Sequence, residues 1–510
     1  MAIDQHRDSH DKGLKSDSVG VLGSTVLSVS SVAPAYALTA TLGILAAAAG
    51  AKMPVVIIAG ALPMIFAAYA YREFNKVSPD CGTSFTWTTK AFGPYVGWIG
   101  GWAAIVATII VLSNLAGVAV QFFYQFFGVI FSSDTISDLW LNKGVNVLTC
   151  FAFLAIASYV AYRGIDTTEK VQFFLVGFQL VVLLLFSVVA IATRSESGVG
   201  EAFSWDWFSP AGLTLSAFIA GLSGSIFAFW GWDVSLTVNE ESKDKETVPG
   251  KAALLTIVSI LLTYLIVGVA MQMYAGLGEE GLGLANPDVA DNVFGQLAEP
   301  VLGNFDIVLF LAVLASSAAS LITTFFPTSR TMLGMSAYGA FPKKFSEMHP
   351  TYKTPGFAII FAGVSAGVFY GALTLVSERV LLDTIYSLGI MICFYYGLTA
   401  FACIYFFRNQ LFTSASNTVF KFLFPLLGGL GLFFVLIITL RDSYSPDYGS
   451  GANIGGVGLV LILGLGLILI GLLFMMIQRS RHPAYFRGET LPMVAAENDT
   501  TEAFDVDMPG

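Results

Sequence analysis

The sequence predicts an all-α integral membrane protein whose twelve transmembrane helices form a five-plus-five inverted repeat. Three observations support this fold class. Of the 510 residues, 55% are hydrophobic and only 12% are charged, whereas soluble proteins carry about 25% charged residues. The mean hydropathy is +0.74. Finally, the first and sixth apolar stretches are interrupted in similar ways, which is typical of inverted repeats with broken helices.

Apolar stretches of about twenty residues recur along the chain, and each is long enough to cross a hydrocarbon layer of ~30 Å. An outer-membrane barrel is excluded, because its strands would alternate apolar and polar residues. The predicted spans are residues 19–50, 54–71, 95–127, 145–162, 171–193, 211–238, 252–277, 304–337, 356–376, 382–407, 419–440 and 456–478.

An even number of spans places both termini on one side, and the basic residues identify that side as the inner one. Of the 25 lysines and arginines, only Lys52, Lys143, Arg194, Arg379 and Arg441 fall in the predicted outer loops. The remaining basic residues lie in inner loops and tails. We therefore predict a multi-pass plasma-membrane protein with both termini in the cytoplasm.

The polar ends and the interrupted spans divide the chain into five parts. Residues 1–18 and 483–510 are charged and polar, which predicts disordered cytoplasmic tails. Residues 19–193 and 211–407 are expected to form the two five-helix repeats. Residues 419–478 are expected to hold helices 11 and 12.

The polar residues argue against several classes of protein. The four histidines lie in loops or tails, and the four cysteines have no paired spacing, so neither a metal site nor a disulfide framework is predicted. The sequence also lacks a Ser-His-Asp set and a phosphate-binding glycine loop beside a lysine. We therefore expect no enzyme, no catalytic residue, no cofactor, no metal and no nucleic-acid partner.

The first span is interrupted at SVSSVAPAYAL, where Pro34 follows small and hydroxylated residues. Lipid cannot satisfy the backbone groups that such a break frees, so they must be buried in protein or line a cavity. Free N–H groups at the start of a half-helix favour an anion, and free carbonyls at the end of one favour a cation. The alternative is a structural kink, since Ser30, Ser31, Ala33 and Ala35 suit close helix packing.

The sixth span is interrupted at FAFWGWDVSLTVNEE, which places Gly231 and Asp233 inside an otherwise apolar stretch. An ionised aspartate at the centre of a bilayer costs roughly 2.5–3.5 kcal/mol, so Asp233 should face the bundle interior. Two roles stay open for it. Asp233 caps the second half of the span, or it takes part in proton coupling or substrate contact, and the two roles do not exclude each other.

Two further groups of side chains have alternative roles. The aromatic residues around the second break lie too deep for an interfacial belt, so they either pack in the core or line a cavity and meet a cation; they are Phe227, Phe229, Trp230 and Trp232. The eighth span offers hydroxyl groups that either bond to their own helix or complete a sodium site with carbonyls of the first break; they are Ser316, Ser317, Ser320 and Thr323.

These residues resemble the amino acid–polyamine–organocation superfamily of secondary transporters, over roughly residues 19–480. The most specific part is FAFWGWDVSLTVNEESKDKETVPGKA, which is similar to the family's aromatic–glycine–aromatic–acid pattern followed by an acidic pair, a basic loop and proline. YRGIDTTEKVQ before the fifth span adds support. SRTMLGMSAYGAFPKKFSEMHPTYKTP after the eighth span is similar to the family's arginine-to-TP inner loop.

The resemblance implies the leucine-transporter fold, with alternating access to a site in the middle of the bilayer. It implies that the first break holds the polar end of the substrate, through Ser30, Ser31, Val32, Ala33, Pro34 and Ala35. It also implies that Phe227 closes over the substrate and that Asp233 fills the family's acidic position. The residues expected to line the pocket from the sixth span are Phe229, Trp230, Gly231 and Trp232.

The chain departs from the family pattern at two places. The first break reads SSVAPA where members are usually glycine-rich, and Pro34 offers no N–H to a bound carboxylate. The fifth span carries Gln179 where some proton-coupled members carry a lysine. A lysine-based coupling is therefore not expected, which leaves Asp233, with Gln179 as a second candidate for coupling or gating, or a sodium ion.

The sequence thus predicts a permease that imports an amino acid or a small organic amine through the lipid bilayer, by proton symport. Sodium symport and the exchange of amines or polyamines are the mechanistic alternatives, and the set Ser316, Ser317 and Ser320 is the candidate sodium site. A transporter-like sensor, which would bind its ligand without moving it, is the alternative of another class.

Overall fold

The structure, a computed structural model, describes residues 12–195, 197–377 and 379–493, without the side chains of residues 166–168 and 380. In its first part the helices are α1 Val21–Val32, α2 Pro34–Ala49, α3 Met53–Val77, α4 Ser84–Phe92, α5 Pro94–Phe131, α6 Asp134–Ser137, α7 Lys143–Tyr162, α8 Ile165–Thr193, α9 Leu215–Ala228, α10 Val234–Thr237 and α11 Val248–Ala275.

The second part continues with α12 Pro287–Ala290, α13 Val293–Leu302, α14 Asp306–Ala337, α15 Gly356–Leu373, α16 Val380–Phe406, α17 Ala415–Asn417, α18 Phe424–Asp442, α19 Leu459–Leu461, α20 Leu467–Arg481 and α21 Pro483–Phe486. Two short strands, β1 Asn453–Ile454 and β2 Val457–Gly458, pair antiparallel before α19. Single π-helical turns at Thr418–Leu423 and Ile462–Gly466 lead into α18 and α20.

Among the described residues, ten helical stretches are long and apolar enough to cross a membrane. This agrees with the predicted class of membrane protein. The first stretch, Val21–Val77, contains both of the first two predicted spans, and the sixth span is represented by the shorter apolar helix Leu215–Ala228. These two differences separate ten stretches from the twelve predicted spans, so the count of twelve stays a prediction.

The helix bundle is held by close packing at small residues. Helix α5 packs along α14, α2 packs against α9, and α1 contacts α8, α11 and α14. A Cβ added at Gly60 of α3 would collide with Ser225 of α9, and one added at Gly428 of α18 would meet the backbone of Ala67 at 2.9 Å. Small residues bring helices together in this way where no hydrophobic force acts between them in lipid.

The described parts of both tails pack against the bundle, although the sequence predicts disorder for residues 1–18 and 483–510. The Tyr485 side chain is fully buried and its hydroxyl donates to the Pro94 carbonyl at 2.9 Å. The Ser18 N–H donates to the Glu241 carbonyl at 2.9 Å. Apolar and backbone contacts therefore extend the fold into both tails, whereas residues 1–11 and 494–510 lie outside the described residues. We call the end of the bundle where Ser18 meets Glu241 and Tyr485 meets Pro94 the terminal side.

A buried ion pair links α14 to the segment that follows α10. Arg330 of α14 donates to both carboxylate oxygens of Glu241, at 3.1 and 3.0 Å, and neither side chain is more than 2% exposed. The guanidinium also stacks over the Phe326 ring at 4.6 Å. A bidentate pair of this kind fixes the orientation of both partners.

We expect Arg330→Met to lower the free energy of unfolding by roughly 3–5 kcal/mol, because it leaves the Glu241 carboxylate buried without its partner. Asp291→Asn is the matched control, since the Arg379–Asp291 pair is about half exposed and should contribute under about 1 kcal/mol. Thermal unfolding of the purified variants measures both changes. Equal shifts would contradict a stabilising role for the buried pair.

Candidate functional site

The chain leaves the helical conformation at two places that lie against each other. Helix α1 ends at Val32, Ala33 has a left-handed φ of 55°, and Pro34 begins α2. Between α9 and α10, Gly231 has a φ of 106°. A Cβ added at Gly231 would lie 2.9 Å from the Ser31 carbonyl carbon and 3.0 Å from the Val32 nitrogen. Glycine is therefore required here both by its backbone angle and by its contact with the first break.

The Ser28 hydroxyl makes a second link between the two interrupted segments. Ser28 of α1 accepts a hydrogen bond from the Ser235 N–H at 2.9 Å. Asp233 holds the N-cap position of α10, but its side chain bonds to none of the N–H groups of that helix. The alternative in which the Asp233 carboxylate caps α10 is therefore wrong, because a hydroxyl from α1 takes that role.

The polar groups of the first break are bonded to α8 and α14. The Ser30 hydroxyl donates to Gln172 Oε1 at 2.6 Å, and Gln172 Nε2 donates to the Ala319 carbonyl at 3.2 Å. The Ser320 hydroxyl donates to the Ser31 carbonyl at 2.7 Å. The amide of Gln172 thus connects the first break to α14 without a charge or an ion.

The other hydroxyl groups of the predicted sodium set divide between two arrangements. Ser316 accepts a hydrogen bond from the Tyr36 N–H at 3.3 Å, and Thr323 bonds to the carbonyls of its own helix at Ala319 and Ser320. The Ser317 hydroxyl is buried, with no partner among the described residues. Ser316 and Ser320 therefore contact the first break, as both a sodium site and a substrate site at this break would require.

The aromatic residues of the second break are all buried. The Trp230 indole N–H donates to the Tyr395 hydroxyl at 2.7 Å, and the Phe229 ring lies 5.2 Å from the Tyr264 ring. Phe227 is 4% exposed and belongs to the main core. These residues enclose the contact between the two breaks in apolar surface.

Asp233 lies among tyrosine and tryptophan side chains. Its carboxyl faces the hydroxyl groups of Tyr71, Tyr395 and Tyr396, and the Trp232 ring lies 5.0 Å from the Tyr396 ring. No lysine, arginine or histidine pairs with Asp233 among the described residues. A carboxyl in such surroundings is held without a counter-charge.

Several buried polar atoms close to the breaks have no hydrogen-bond partner in the described part of the chain. Buried polar groups are normally paired, so a cluster of exceptions indicates a place where another molecule supplies the partners. These atoms are the hydroxyls of Ser31, Tyr36, Ser317 and Tyr396, the Trp232 indole N–H and Asp233 Oδ1. Both polar side-chain atoms of Gln179 on α8 are also buried without a partner among the described residues.

Gln179 itself does not make the contact with the first break that Gln172 makes. The two glutamines lie seven residues apart on α8, which is two helical turns, so they share one face of the helix. Sequence reasoning selected Gln179 and missed Gln172, because the spacing along the span does not show which turn meets the break. The signal available was the second glutamine on the same face.

A cavity of about 660 Å³ opens on the side opposite the terminal side. Ala40 and Ile44 of α2, Asn114 of α5 and Ile385 of α16 line it, and the residues of the two breaks are buried below it. Its rim carries charges of both signs, which are Asp138, Lys143, Asp288, Asp291 and Arg379. This cavity gives water and small solutes access toward α2 and α5.

The terminal side is closed by charged residues. The buried Lys12 ammonium donates to Asp80 Oδ2 at 2.9 Å and to Glu240 Oε1 at 2.5 Å, and the Tyr338 hydroxyl donates to Asp80 at 2.7 Å. Burial alone would lower the pKa of Lys12, but Asp80 and Glu240 outweigh it, and the pKa lies well above its ordinary value. Sequence reasoning missed Lys12, because a mixed-charge tail gives no sign of burial.

The same pair determines how this closure responds to pH. Burial alone would raise the pKa of Asp80, but Lys12 and Tyr338 hold it below its ordinary value. The stabilisation by Asp80 is therefore present above a pH of about 4 and is lost as the pH falls through the lower folded-state pKa. The Lys12 contribution is present up to a pH of about 10, so the closure should not change across the physiological range.

Comparison with known proteins identifies the family. Residues 19–462 match the family described as "Amino acid permease". The chain belongs to this family, as the resemblance predicts. The family and the relatives below are permeases and transporters rather than enzymes, which agrees with the expected class.

Two bacterial relatives are named as transporters of amino acids, and a third is named as an importer of the amine putrescine. The branched-chain amino acid permease BcaP of Bacillus subtilis is 25% identical over 487 residues, which cover 93% of this chain and 95% of that protein. The glutamate/serine transporter AimA of the same organism is 24% identical over 61% of this chain and 57% of that protein. The low-affinity putrescine importer PlaP of Escherichia coli is 21% identical over 64% of this chain and 68% of that protein.

Among solved structures, MhsT in complex with L-phenylalanine is similar, with a TM-score of 0.60 and 14% sequence identity. The match covers 83% of this chain and 100% of that chain. At this identity the similarity shows the fold alone. The predicted all-helical, leucine-transporter type of fold is confirmed to that extent.

We expect Gly231→Ala to destabilise the protein by roughly 1–3 kcal/mol, because a side chain at this φ is strained and its Cβ would press on the first break. It should also weaken ligand binding at least about tenfold, by separating the two breaks. Gly177→Ala on α8 is the control, since a Cβ there meets no atom within 4 Å. Thermal unfolding with and without ligand provides both readouts. Unchanged affinity in Gly231→Ala would contradict a ligand site at the contact between the two breaks.

Gln172→Met and Gln179→Met separate the two glutamines of α8. The first change leaves the Ser30 hydroxyl without its partner and removes one hydrogen bond to the Ala319 carbonyl, and we expect a loss of about 1–3 kcal/mol in unfolding free energy. The second removes an amide that has no partner among the described residues, and we expect equal or higher stability. Reversed results in thermal unfolding would show that Gln179, not Gln172, supports the first break.

Proposed function

We propose that this chain is a secondary active transporter that imports an amino acid or a small organic amine across the plasma membrane by proton symport. The observation that carries the proposal is the contact between the two helix breaks at Gly231, surrounded by buried polar atoms without partners. The amino acid permease family and its relatives for amino acids and putrescine support this class of substrate.

In this proposal the polar end of the substrate lies at the first break. The residues are those predicted from the sequence, Ser30 to Ala35, with the unpaired Ser31 hydroxyl as the nearest side-chain group. Pro34 supplies no N–H, and the Tyr36 N–H already bonds to Ser316. A carboxylate therefore finds few donors there, while the carbonyls that end α1 favour an ammonium group. This arrangement suits an amine or the amino group of an amino acid.

The apolar part of the substrate is enclosed by the second break. Phe227, Phe229 and Trp230 are buried around it, and Trp232 presents an indole N–H without a partner. Aromatic faces attract organic cations, by about 0.5–2 kcal/mol for each contact. These four residues form the proposed pocket wall, with Gly231 giving the two backbones room to meet.

Alternating access is supported by the difference between the two ends of the bundle. A cavity is open on one side, and buried ion pairs of Lys12 and Arg330 close the terminal side. Transport requires the protein to alternate between this state and one in which the cavity side is closed and the terminal side is open. By the distribution of basic residues in the sequence, the open side is outside the cell and the terminal side is cytoplasmic.

Asp233 is the proposed proton acceptor, because it is buried, lacks a basic partner among the described residues and lies beside the pocket wall. Gln179 stays a candidate for gating. Sodium symport would use Ser316, Ser317 and Ser320 with carbonyls of the first break. Two of these hydroxyls already bond to that break, and Gln172 connects it to α14, which favours the proton.

A ligand screen tests the substrate class first. A ligand at a hundred times its dissociation constant should stabilise the protein by about 2.7 kcal/mol, which thermal unfolding detects for amino acids, their decarboxylated amines and polyamines. Uptake into liposomes then separates a transporter from a sensor, because a sensor would be stabilised by its ligand without moving it. Flux of the same ligand supports transport, and its absence would favour the sensor.

We expect Asp233→Asn to bind substrate and to lose most of the stimulation of uptake by an inward proton gradient, because the amide cannot take up a proton. The measurement is uptake into liposomes at a fixed inside pH and a varied outside pH. Asp288→Asn, on the rim of the open cavity, is the control. Uptake by Asp233→Asn that still follows the proton gradient would contradict the role of Asp233 as the proton acceptor. Sodium dependence appearing in its place would support the alternative set on α14.

A further inference from the structure

A groove of about 600 Å³ lies between α7 and α15, and no residue of the two helix breaks lines it. Its walls are mostly apolar and include Phe151 and Leu154 of α7 and Ile360 and Val364 of α15. Its floor is formed at Gly363, where an added Cβ would collide with the Ser158 hydroxyl. The groove is thus a consequence of two helices packing closely at a glycine.

The groove opens on the surface that faces the bilayer. Ile360 and Val364 are 55% and 54% exposed, and little of the apolar helix Lys143–Tyr162 is buried in the protein. Exposed apolar side chains on a helix long enough to cross a membrane meet lipid. Material from the bilayer therefore reaches this groove directly.

A single arginine stands at the end of the groove on the terminal side. Arg163 follows α7, is exposed, and donates to the Tyr159 hydroxyl at 2.9 Å. Its guanidinium lies over the Tyr352 ring at 5.0 Å. Within the described ranges no carboxylate pairs with Arg163, and the exposed Lys353 adds a second positive charge on the same loop as Tyr352. Two rings thus orient a guanidinium that pairs with no carboxylate among the side chains that the structure describes.

We propose that this groove binds an anionic phospholipid, with the phosphate at Arg163 and one acyl chain along α7 and α15. A guanidinium binds phosphate oxygens through two parallel hydrogen bonds. Tyrosine side chains such as Tyr159, Tyr162 and Tyr352 are typical of the headgroup level. Basic pockets between transmembrane helices are a known setting for anionic headgroups.

The dimensions of the groove fit one leaflet. From Arg163 to Phe151 the chain runs twelve residues along α7, which is about 18 Å at the helical rise. Half of the hydrocarbon thickness of a bilayer is about 15 Å. An acyl chain anchored by its headgroup at Arg163 would therefore reach the far end of the groove at the middle of the membrane.

The test uses the purified full-length chain, titrated with phosphatidylglycerol or with phosphatidylcholine of the same acyl chains. Native mass spectrometry counts the bound lipids and gives the affinity for the first one. We expect the wild-type chain to prefer phosphatidylglycerol. We expect Arg163→Gln to lose about fivefold of the affinity for phosphatidylglycerol and less of the affinity for phosphatidylcholine, because the choline group offsets the phosphate charge. Val364→Trp, which fills the groove, should weaken both lipids.

Arg408→Gln is the matched control, because the exposed Arg408 also stacks over a tyrosine, Tyr405 at 4.6 Å, but does not line the groove. Thermal unfolding in phosphatidylcholine alone checks that each variant is folded. Equal affinity of Arg163→Gln and wild type for phosphatidylglycerol would overturn the proposal. So would an equal loss in Arg408→Gln, or displacement of phosphatidylglycerol by excess inorganic phosphate, which would indicate a site for free anions.

Discussion

The contact of Gly231 with the Ser31–Val32 peptide is the constraint on which the centre of this bundle depends. Two helices stop inside an apolar protein, and the backbone groups that they free must find partners close by. Because Gly231 has no side chain, the two breaks touch, and α1 supplies a hydrogen-bond partner to the second break. The Ser28 hydroxyl of α1 accepts from the Ser235 N–H, so α10 begins only where α1 lies against it.

The surrounding helices complete this arrangement at one break more than at the other. Gln172 and Ser320 bond to the first break, which ties it to α8 and α14. The second break is packed by rings and ends at a carboxyl that has no basic partner among the described residues. Polar atoms that satisfy one another stabilise a fixed structure, whereas unpaired buried atoms destabilise it. The bonded polar side chains are thus those of Ser30 and Gln172, and the unpaired ones belong to Ser31, Trp232 and Asp233.

Much of this was readable from the sequence, because the relevant signals are local. Pro34 and Gly231 interrupt apolar stretches, and Asp233 is an acid in a place that lipid does not tolerate, so both breaks and their aromatic neighbours were predicted by number. The partners were not. Gln172 lies 142 residues from Ser30 and Tyr395 lies 165 residues from Trp230, and helical periodicity shows which face is polar without showing what that face meets.

The partners of the charged groups are also distant in sequence and could not be predicted from it. Lys12 and Arg330 hold acids of the terminal side in buried pairs, and the shifts of the pKa of Lys12 and Asp80 keep their pair ionised across the physiological range. Asp233, in contrast, lies near tyrosine hydroxyl groups and pairs with no basic side chain within the described chain. A pair that stays charged across the physiological range can keep one end of the bundle closed, and the Asp233 carboxyl takes no part in that pair. The acids that close the terminal side and the Asp233 carboxyl are therefore separate groups, and the proposed uptake of a proton at Asp233 would leave the ion pairs intact.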